Sequence, residues 1–456
     1  MTQKNHIVLM IFLLTFAHMS FAQQNILQQR VANAQPGDTI IVASGLYEGN
    51  LLLDKKLVVR GVGEPVIRGD GTGSCFVITA DSCEISGFLI ERSGNDLMAE
   101  DAGILVKSNH NRLQNNTLRD ILFGIYLLQA DWNDIRNNVI VGRKDIDYGQ
   151  RGSGIHIWDS HYNVFDGNTV SFARDGFYIQ YANHTLIQYS DVSNVRYGLH
   201  YMYADSNRFF YNRFTDNIAG AAIMYSRQID FRHNVFARNR GFASYGLLFQ
   251  DCQNVTADSN VIVDNAVGLF LESSLSNRFY RNIIAQNDIA LQIFQNSSRN
   301  NFFENNFIDN LNLLSIVGKY TESSWNPERR GNYWSSYNGY DLDGDGVGDV
   351  PMKIQNAFQY LEGQYPNLRL YLYSPASQAL AVATTAFPII NINEERDQRP
   401  LMRPIELTQM PAVQLYFSRE INSQKQNGRI VWVGSVLFGC LFVGVVFKQV
   451  LRRGAV

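Results

Sequence analysis

The sequence predicts an all-β fold, a right-handed parallel β-helix with coils of about 22 residues, and three patterns support this prediction. A glycine, followed in all but one case by a large apolar residue, recurs through the middle of the chain, and five of its eight steps are 22 residues long. An asparagine precedes a short apolar run at a matching interval, and apolar and polar residues alternate inside each repeat, as they do in strands. A regular repeat of this length is typical of solenoids, in which each repeat forms one coil. The glycine position holds Gly103, Gly124, Gly154, Gly176, Gly198, Gly220, Gly246, Gly268 and then Ala290, and the asparagine position holds Asn116, Asn138, Asn168, Ser190, Asn212, Asn234, Asn260, Asn282 and Asn306.

Composition narrows the functional classes. The chain has 456 residues, with 39 Lys and Arg against 42 Asp and Glu and a formal net charge of −3, which argues against a nucleic-acid-binding protein. Hydrophobic residues make up 45% and charged residues 18%, so the chain is not disordered. Four cysteines are too few for a disulfide-built scaffold. A bridge between Cys75 and Cys83 is left open.

The N-terminus has the pattern of a secretory signal peptide over residues 1–22. A basic start precedes an apolar run, and Ser20 and Ala22 are small residues at the positions that signal peptidase inspects. The alternative is a membrane anchor that is never cleaved. The short helical pattern over residues 24–34 is expected to cap the first coil.

The C-terminus has the pattern of a transmembrane helix. Residues 430–447 contain no charged residue, Trp432 lies near their start, and basic residues follow directly. These features predict a helix over residues 429–448 in the inner membrane, with residues 449–456 as a cytoplasmic tail. A buried helix is the alternative. The rest of the chain is then expected in the periplasm.

Three parts are expected between these ends. The β-helix is predicted over residues 23–320, with insertions near 142–151 and 240–245, where the repeat steps lengthen. Residues 321–375 contain an aspartate-glycine loop and close the solenoid. Residues 376–428 combine a helical pattern with a proline-rich, extended arm, which needs a partner surface or stays mobile.

The repeat also predicts which side chains point outward. The first and third residues after each glycine are expected inside the coil, so the second and fourth lie outside. On this basis His156, His200, Met202 and Met224 share an outer face, with Met202 and Met224 on neighbouring coils. Imidazole and thioether groups suit Cu(I), which is a soft ion. The other interpretation is packing or a protein interface, for which the candidate surface is Trp158, Tyr178, Tyr181, Tyr203 and Tyr225.

Paired carboxylates would indicate a polysaccharide lyase or hydrolase, enzymes that parallel β-helices often form. The outward columns hold mainly aromatic, histidine, methionine and glutamine side chains, with Asp159, Asp251 and Glu272 scattered among them. Asp159 and His156 can pair, but no second carboxylate is expected to stack next to them. The sequence therefore does not favour an enzyme.

The segment 339–349 resembles a loop that binds a hard cation. Asp341, Asp343, Asp345 and Asp349 are spaced by glycines that let the chain curl, and their oxygens suit one calcium ion. The glutamate usual at the twelfth position of such loops is missing. A bound calcium would be structural, and a plain aspartate-glycine turn is the alternative.

Several short motifs resemble the NosD family of nitrous oxide reductase maturation proteins. The run GNYWSSYNGY at 331–340 leads into the aspartate-glycine loop and Pro351. The resemblance covers about residues 25–411, whereas the repeats alone are shared with many carbohydrate-active β-helices. The other matching motifs are DAGI at 101–104 after Ser93 and Gly94, GLHYMY at 198–203, SPA at 374–376 followed by Phe387 and Pro388, and PLMRP at 400–404.

The resemblance implies a periplasmic accessory subunit that docks with an ABC-type permease and ATPase and catalyses nothing itself. It further implies that copper, received from a copper chaperone, is passed on for the copper-sulfide cluster of nitrous oxide reductase. Cu(I) would then be cargo, and the proline-rich arm would be a candidate contact with the transporter. The copper ligands named above are inferred only from the direction in which the repeat points their side chains. A carbohydrate-binding or carbohydrate-cleaving β-helix protein is the alternative function.

Overall fold

The computed structural model of the chain describes residues 26–241, 243–355, 395–406 and 410–417, with the short pieces 361, 365–371, 374–376 and 379. The predicted signal peptide, transmembrane helix and cytoplasmic tail lie outside these residues, as does most of the predicted helix and arm over 376–428. In the described part, no helix is both long and apolar enough to cross a bilayer. Residues up to Ile405 form one compact unit, and those from Glu406 onward, which are helical over 411–417, form a second.

The first unit is the predicted parallel β-solenoid, preceded by helix α1 (Ile26–Asn33). Its first five coils contain the strands β1 (Thr39–Ala43), β2 (Leu46–Glu48), β3 (Leu51–Leu53), β4 (Val58–Val62), β5 (Val66–Arg68), β6 (Phe76–Ile78), β7 (Glu84–Ser86), β8 (Leu89–Glu91), β9 (Ala102–Val106), β10 (Arg112–Gln114), β11 (Thr117–Arg119), β12 (Phe123–Leu128), β13 (Asp134–Arg136), β14 (Val139–Val141) and β15 (Ile155–Trp158).

The next four coils contain β16 (Val164–Asp166), β17 (Thr169–Ser171), β18 (Asp175–Gln180), β19 (Leu186–Gln188), β20 (Asp191–Ser193), β21 (Tyr197–Met202), β22 (Arg208–Phe210), β23 (Arg213–Thr215), β24 (Ala219–Met224), β25 (Asp230–Arg232), β26 (Val235–Ala237) and β27 (Leu247–Gln250). The remaining coils contain β28 (Thr256–Asp258), β29 (Val261–Val263), β30 (Val267–Glu272), β31 (Arg278–Tyr280), β32 (Ile283–Ala285), β33 (Ile289–Phe294), β34 (Ser298–Phe303), β35 (Asn306–Ile308), β36 (Asn312–Val317), β37 (Glu322–Ser324) and β38 (Tyr333–Trp334). A separate antiparallel pair joins β39 (Met352–Lys353) to β40 (Arg396–Asp397), and short 3₁₀ helices span Tyr148–Gln150 and Pro366–Tyr371.

Every third strand belongs to the same sheet. Sheet A has 13 strands from β1 to β37, sheet B has 13 from β2 to β38, and sheet C has 12 from β3 to β36. Within each sheet, a strand pairs in parallel with the strand one coil further along the chain. The two predicted insertions, now bounded as 142–154 and 238–246, both lie at the turn from sheet B to sheet C. A third insertion, over 92–101, lies at the same turn.

The inward side chains form one continuous core in which like residues stack from coil to coil. The rings of Phe209 and Phe231 are 4.7 Å apart, and those of Phe307 and Trp334 are 4.2 Å apart. The facing derived from the repeat is confirmed, since the residues it places inside are all fully buried: Ile155, Ile157, Phe177, Ile179, Leu199, Tyr201, Ala221 and Ile223.

Asparagines at the turn from sheet A to sheet B form the predicted ladder of hydrogen bonds. The backbone and side-chain amides of Asn234 both donate to the Oδ1 atom of Asn260, at 2.9 and 3.0 Å. The ladder ends with a hydrogen bond from the side-chain amide of Asn305 to the Oδ1 atom of Asn332 (2.9 Å). The prediction that Asn306 belongs to the ladder is therefore wrong by one residue. Asn306 instead begins β35 and bonds the backbone of Ile405.

Both ends of the solenoid are closed. Helix α1 covers the first coil with the buried side chains of Leu27 and Val31. At the other end, the buried carboxylate of Asp397 accepts hydrogen bonds from the Asn332 backbone N–H (2.7 Å) and the Trp334 indole (3.1 Å). The arm residues 395–399 therefore contribute to closing the last coil.

The cysteines inside the described residues form no disulfide. Cys75, Cys83 and Cys252 are all free and buried. Burial raises the pKa of the Cys75 and Cys252 thiols to about 12, so these groups stay protonated and act as small apolar residues. Cys440 lies outside the described residues.

Ser190 interrupts the asparagine ladder, and restoring it is expected to stabilise the protein. The Ser190 hydroxyl donates to the carbonyl of Gln188 (3.2 Å), whereas a ladder asparagine presents Oδ1 to the coil before. Ser190→Asn should therefore raise the free energy of unfolding by about 1 kcal/mol, as measured by chemical denaturation. Asn234→Ala should lower it by roughly 2–4 kcal/mol, because the amide groups of Asn212 lose their acceptor. A loss of stability in Ser190→Asn would contradict the prediction.

The C-terminal closure is expected to weaken as the pH rises. Burial raises the pKa of the Asp397 carboxyl despite the N–H groups that donate to it. An acid whose folded pKa lies above its unfolded value contributes stability that is present below the unfolded pKa and lost as the pH rises through the folded pKa. Relative to Asp397→Asn, the parent should lose opening free energy as the pH rises above about 4, measured by hydrogen exchange over residues 322–334. A pH-independent difference between the two proteins would count against this account.

Candidate functional site

The outer face of sheet C brings three of the four predicted copper ligands together. Met202 on β21 pairs in register with Met224 on β24, and His200 lies two residues before Met202 on the same face. All three side chains are half-buried. Neighbouring coils in a sheet are about 4.8 Å apart, so the two thioethers stand side by side. Copper binding by this group stays a prediction.

A small residue faces His200 on the next coil. Ala222 pairs in register with His200, and its side chain is 4% exposed. On the two coils that follow, the same position holds the large side chains of Leu248 and Phe270. Alanine thus presents only a methyl group opposite the imidazole, one residue pair away from the methionines.

A buried aspartate holds His200 from the other side. The Oδ2 atom of Asp175 lies 3.1 Å from Nδ1 of His200 and accepts from the Arg196 guanidinium at 2.7 Å. The Asp175 side chain is 1% exposed. Burial by itself raises the pKa of this carboxyl, but hydrogen bonds from His200 and Arg196 outweigh it and hold the pKa below its ordinary value. Asp175 is therefore ionised beside a histidine ring.

His156 lies on the predicted face but is not available as a ligand of the same ion. Its ring is 4.5 Å from those of Tyr126 and Tyr178, and the Tyr178 ring separates it from His200. The side chain is buried, and neither ring nitrogen has a hydrogen-bond partner among the described residues. Burial lowers the pKa of His156 to about 3, so the ring is neutral. The facing was right, but rings on both neighbouring coils cover the imidazole.

The predicted partner surface divides into a covered and an exposed part. Tyr178 is half-buried in the column, and its hydroxyl donates to Gln180 (2.6 Å). Tyr181, Tyr203 and Tyr225 form an exposed stack in which successive ring centroids are 5.5 and 4.9 Å apart. Trp158 is half-buried and meets Tyr181 edge to face. The three stacked tyrosines are therefore the exposed part of the predicted surface.

These tyrosines belong to a column of left-handed residues at the end of the sheet C strands. Seven successive coils place a non-glycine residue there with φ between 45° and 56°. This conformation ends each strand and turns the side chain toward solvent. The column is Gln129, Asp159, Tyr181, Tyr203, Tyr225, Asp251 and Ser273.

Two apolar clusters flank the candidate site along sheet C. The first contains Phe123 and Tyr126 together with Leu122 and Ala102. The second contains Val267, Phe270 and Ile289, with Tyr245 from the insertion 238–246 packed against it. The polar group of Asp175, His200 and Arg196 lies between these clusters.

Sequence reasoning missed Asp175 and Arg196. Asp175 comes directly before a repeat glycine, a position that holds Ala102, Phe123, Ser153, Tyr197, Ala219, Tyr245 and Val267 in other coils. A charged residue in that column was the available signal. Arg196 precedes Tyr197 by one place, and no part of the repeat pattern singles it out.

Carboxylate pairs do not stack in register on the described outer face of sheet C. Asp159 accepts from Gln129 (3.1 Å) on the coil before, and Tyr181 takes its position on the coil after. Its nearby histidine is His161, at 3.6 Å, rather than the expected His156. Glu272 pairs with Gln250. The described outer face of sheet C therefore lacks the two facing acids of a typical glycoside hydrolase.

The aspartate-glycine loop gathers three of its four predicted ligands. Oxygens of Asp341, Asp343 and Asp345 lie within 4.8 Å of one another. Burial tends to raise the pKa of Asp341, but hydrogen bonds, first from the backbone of Gly346, lower it overall. Asp349 lies outside this group and accepts from the Leu342 N–H (2.6 Å). Calcium binding here stays a prediction.

Comparison with known proteins identifies close similarities. A family model described as NosD, periplasmic copper-binding protein, matches residues 137–339, which contain the candidate site. The chain is 37% identical over 380 residues to a probable ABC transporter binding protein NosD of Pseudomonas aeruginosa, covering 79% of this chain and 87% of the relative. The protein of the same name from Stutzerimonas stutzeri is 32% identical over 377 residues, covering 79% and 86%.

Among solved structures, the A-module of mannuronan C-5 epimerase AlgE6 from Azotobacter vinelandii is similar with a TM-score of 0.54. The similarity covers 67% of this chain and 94% of the epimerase module at 13% identity. At that identity it shows a shared fold alone.

His156→Phe is expected to stabilise the protein and to reduce its sensitivity to acid. The substitution removes two buried, unpartnered nitrogens, which should raise the free energy of unfolding by about 1–3 kcal/mol. A histidine whose folded pKa is lowered binds protons more readily when unfolded, so the parent should lose stability as the pH falls from 6.5 toward about 3. Denaturation across this range should show less of that loss in the variant.

The exposed His184 provides the matched control for this prediction. His184→Phe places the same ring on the surface and should leave the acid response of the parent unchanged. Equal effects of the two variants would show that burial of His156 is not the cause.

Proposed function

The chain belongs to the NosD family, and from this membership we propose that it is a periplasmic accessory protein that carries Cu(I) as cargo for the maturation of nitrous oxide reductase. The proposal rests above all on the in-register pair of Met202 and Met224 beside His200. The family description supplies the metal, and the outer face of sheet C supplies a set of soft donors within the matched residues.

The chemistry of the donors suits a cargo ion. Thioether sulfur and neutral imidazole favour Cu(I) over hard cations such as Mg²⁺ and Ca²⁺. Both thioethers are uncharged, so the release of the copper ion leaves no negative charge behind on either methionine. A site with two thioethers and one imidazole at a half-buried position is therefore suited to receiving copper and handing it on.

The neighbouring surface suits protein partners. Tyr181, Tyr203 and Tyr225 are 44%, 46% and 42% exposed and stand directly beside the methionine positions. Tyrosine is enriched at protein interfaces because it combines an apolar ring with a hydroxyl group. On this proposal, a copper chaperone and nitrous oxide reductase contact this edge in turn, while an ABC-type permease and ATPase form the membrane assembly.

The proposal assigns no reaction to the chain itself. Its relatives are named as binding proteins, and the described outer face of sheet C lacks a stacked pair of carboxylates. On this proposal, the predicted helix over 429–448 anchors the protein to the inner membrane beside the transporter.

Cu(I) titration tests the proposed site. The full chain would be titrated anaerobically with Cu(I) in competition with a chromogenic chelator, beside a His200→Ala, Met202→Ala, Met224→Ala variant. Loss of all three donors should weaken binding at least about tenfold. Ala222→Leu, which keeps the donors but places a larger side chain opposite His200, should also weaken it.

Met98→Ala provides the matched control, because Met98 is 92% exposed on the insertion 92–101 and lies outside the site. It should bind copper like the parent. Equal affinity in the triple variant and the parent would place the copper site elsewhere, and absence of binding in the parent would overturn the proposal.

A further inference from the structure

We propose that Asp175 is a positioning residue that fixes the tautomer and orientation of His200, so that the Nε2 atom of His200 is the donor offered to the cargo. The proposal deepens the proposed function and rests on it for the identity of the cargo. The hydrogen bond between Asp175 and His200, however, is present in the metal-free protein and can be measured there.

The tautomer follows from the hydrogen-bonding partners. A carboxylate can only accept, and Oδ2 of Asp175 lies 3.1 Å from Nδ1 of His200, so Nδ1 must carry the proton. The Arg196 Nη2 atom is 3.4 Å from the same nitrogen but can only donate. Its guanidinium is already directed at Asp175 through bonds of 2.9 and 2.7 Å. The shorter contact to an accepting oxygen therefore decides that Nδ1–H donates to Asp175.

The carboxylate is itself held rigidly. Oδ1 of Asp175 accepts from Nε of Arg196 at 2.9 Å and faces the Tyr197 N–H at 3.4 Å. Oδ2 accepts from the other arm of the guanidinium and from His200. With both oxygens engaged and the side chain buried, Asp175 cannot rotate away from the ring.

The imidazole is confined on its other sides as well. Its ring meets Tyr178 edge to face at 4.9 Å and lies 5.0 Å from the ring of Tyr197. Within the part of the chain that the structure describes, Nε2 makes no hydrogen bond. On the next coil the opposing residue is Ala222, which offers only a methyl group. Nε2 is thus the ring nitrogen left for a ligand.

Such an arrangement changes how well a histidine binds metal. A carboxylate that accepts from one ring nitrogen raises the basicity of the other and removes the freedom of the ring to turn. Loss of partners of this kind costs metal affinity about 10–100-fold. Arg196 balances the buried negative charge of Asp175 through its two hydrogen bonds.

The tautomer can be read directly by nuclear magnetic resonance. The full chain would be labelled with ¹⁵N-histidine, and the His200 signals assigned from their absence in His200→Gln. At a pH high enough for the ring to be neutral, the metal-free parent should show a protonated Nδ1 and an unprotonated Nε2. Asp175→Ala should shift the signals toward the other tautomer or toward a mixture, whereas Asp175→Asn, which keeps an accepting oxygen, should restore much of the parent pattern.

Copper affinity provides the second readout. Asp175→Ala should weaken Cu(I) binding about 10–100-fold, with Asp175→Asn in between. The matched control is Asp191→Ala, because Asp191 forms the same kind of coil-to-coil pair with Arg213 on sheet B, away from His200. That variant should leave both the tautomer and the affinity unchanged.

The outcomes separate this inference from the proposed function. An unchanged tautomer in Asp175→Ala, or equal losses of affinity in the Asp175 and Asp191 variants, would overturn the positioning role. If the parent binds no copper at all, the proposed function fails and with it the role toward a cargo, while the tautomer still reports whether Asp175 holds the ring.

Discussion

The outer face of this protein depends on one constraint, the spacing of about 4.8 Å between coils that pair in register. Each coil repeats the backbone of the coil before it. Two residues one repeat apart therefore lie next to each other on adjacent coils, with their side chains in the same orientation. The methionine pair, the tyrosine stack and the asparagine ladder are all consequences of this translation. Residues 22 positions apart touch, whereas residues adjacent in sequence point to opposite sides of a sheet.

Because this geometry is fixed, the spacing alone was enough to predict the fold and the facing. It placed Ile155 and Ile157 in the core and Met202 beside Met224. The spacing does not report what lies over an outward residue. His156 and His200 occupy equivalent positions, yet the rings of Tyr126 and Tyr178 enclose one of them and leave the other half-buried.

The spacing also did not predict contacts between residues that are not paired in register. Asp175 reaches His200 across 25 residues rather than 22, because it stands at the corner where the chain enters sheet C. The ladder position at Asn305 was missed for a related reason, since a repeat longer by one residue moved the asparagine corner. The period predicts which residues stack in register, and it does not report a contact between two different positions of the repeat, such as that of Asp175 with His200.

The insertions give sheet C a character that the other two sheets lack. All three, over 92–101, 142–154 and 238–246, enter at the turn before its strands. Between the two apolar clusters, the side chain of Asp175 is 1% exposed. In such surroundings the bonds among Asp175, Arg196 and His200 are stronger than they would be on an open surface, and the histidine is held in place more firmly.

The left-handed column at the end of the sheet C strands also bears on how such proteins diversify. A residue other than glycine in the left-handed conformation costs roughly 1–2 kcal/mol of free energy. Much of this cost arises from the backbone and is therefore similar for most side chains. Side chains in this column point to solvent and contact chiefly the next coil, so tyrosine, aspartate and glutamine can replace one another without disturbing the core. A solenoid can thus acquire a new binding preference by point substitutions along one exposed line. Its architecture is retained meanwhile.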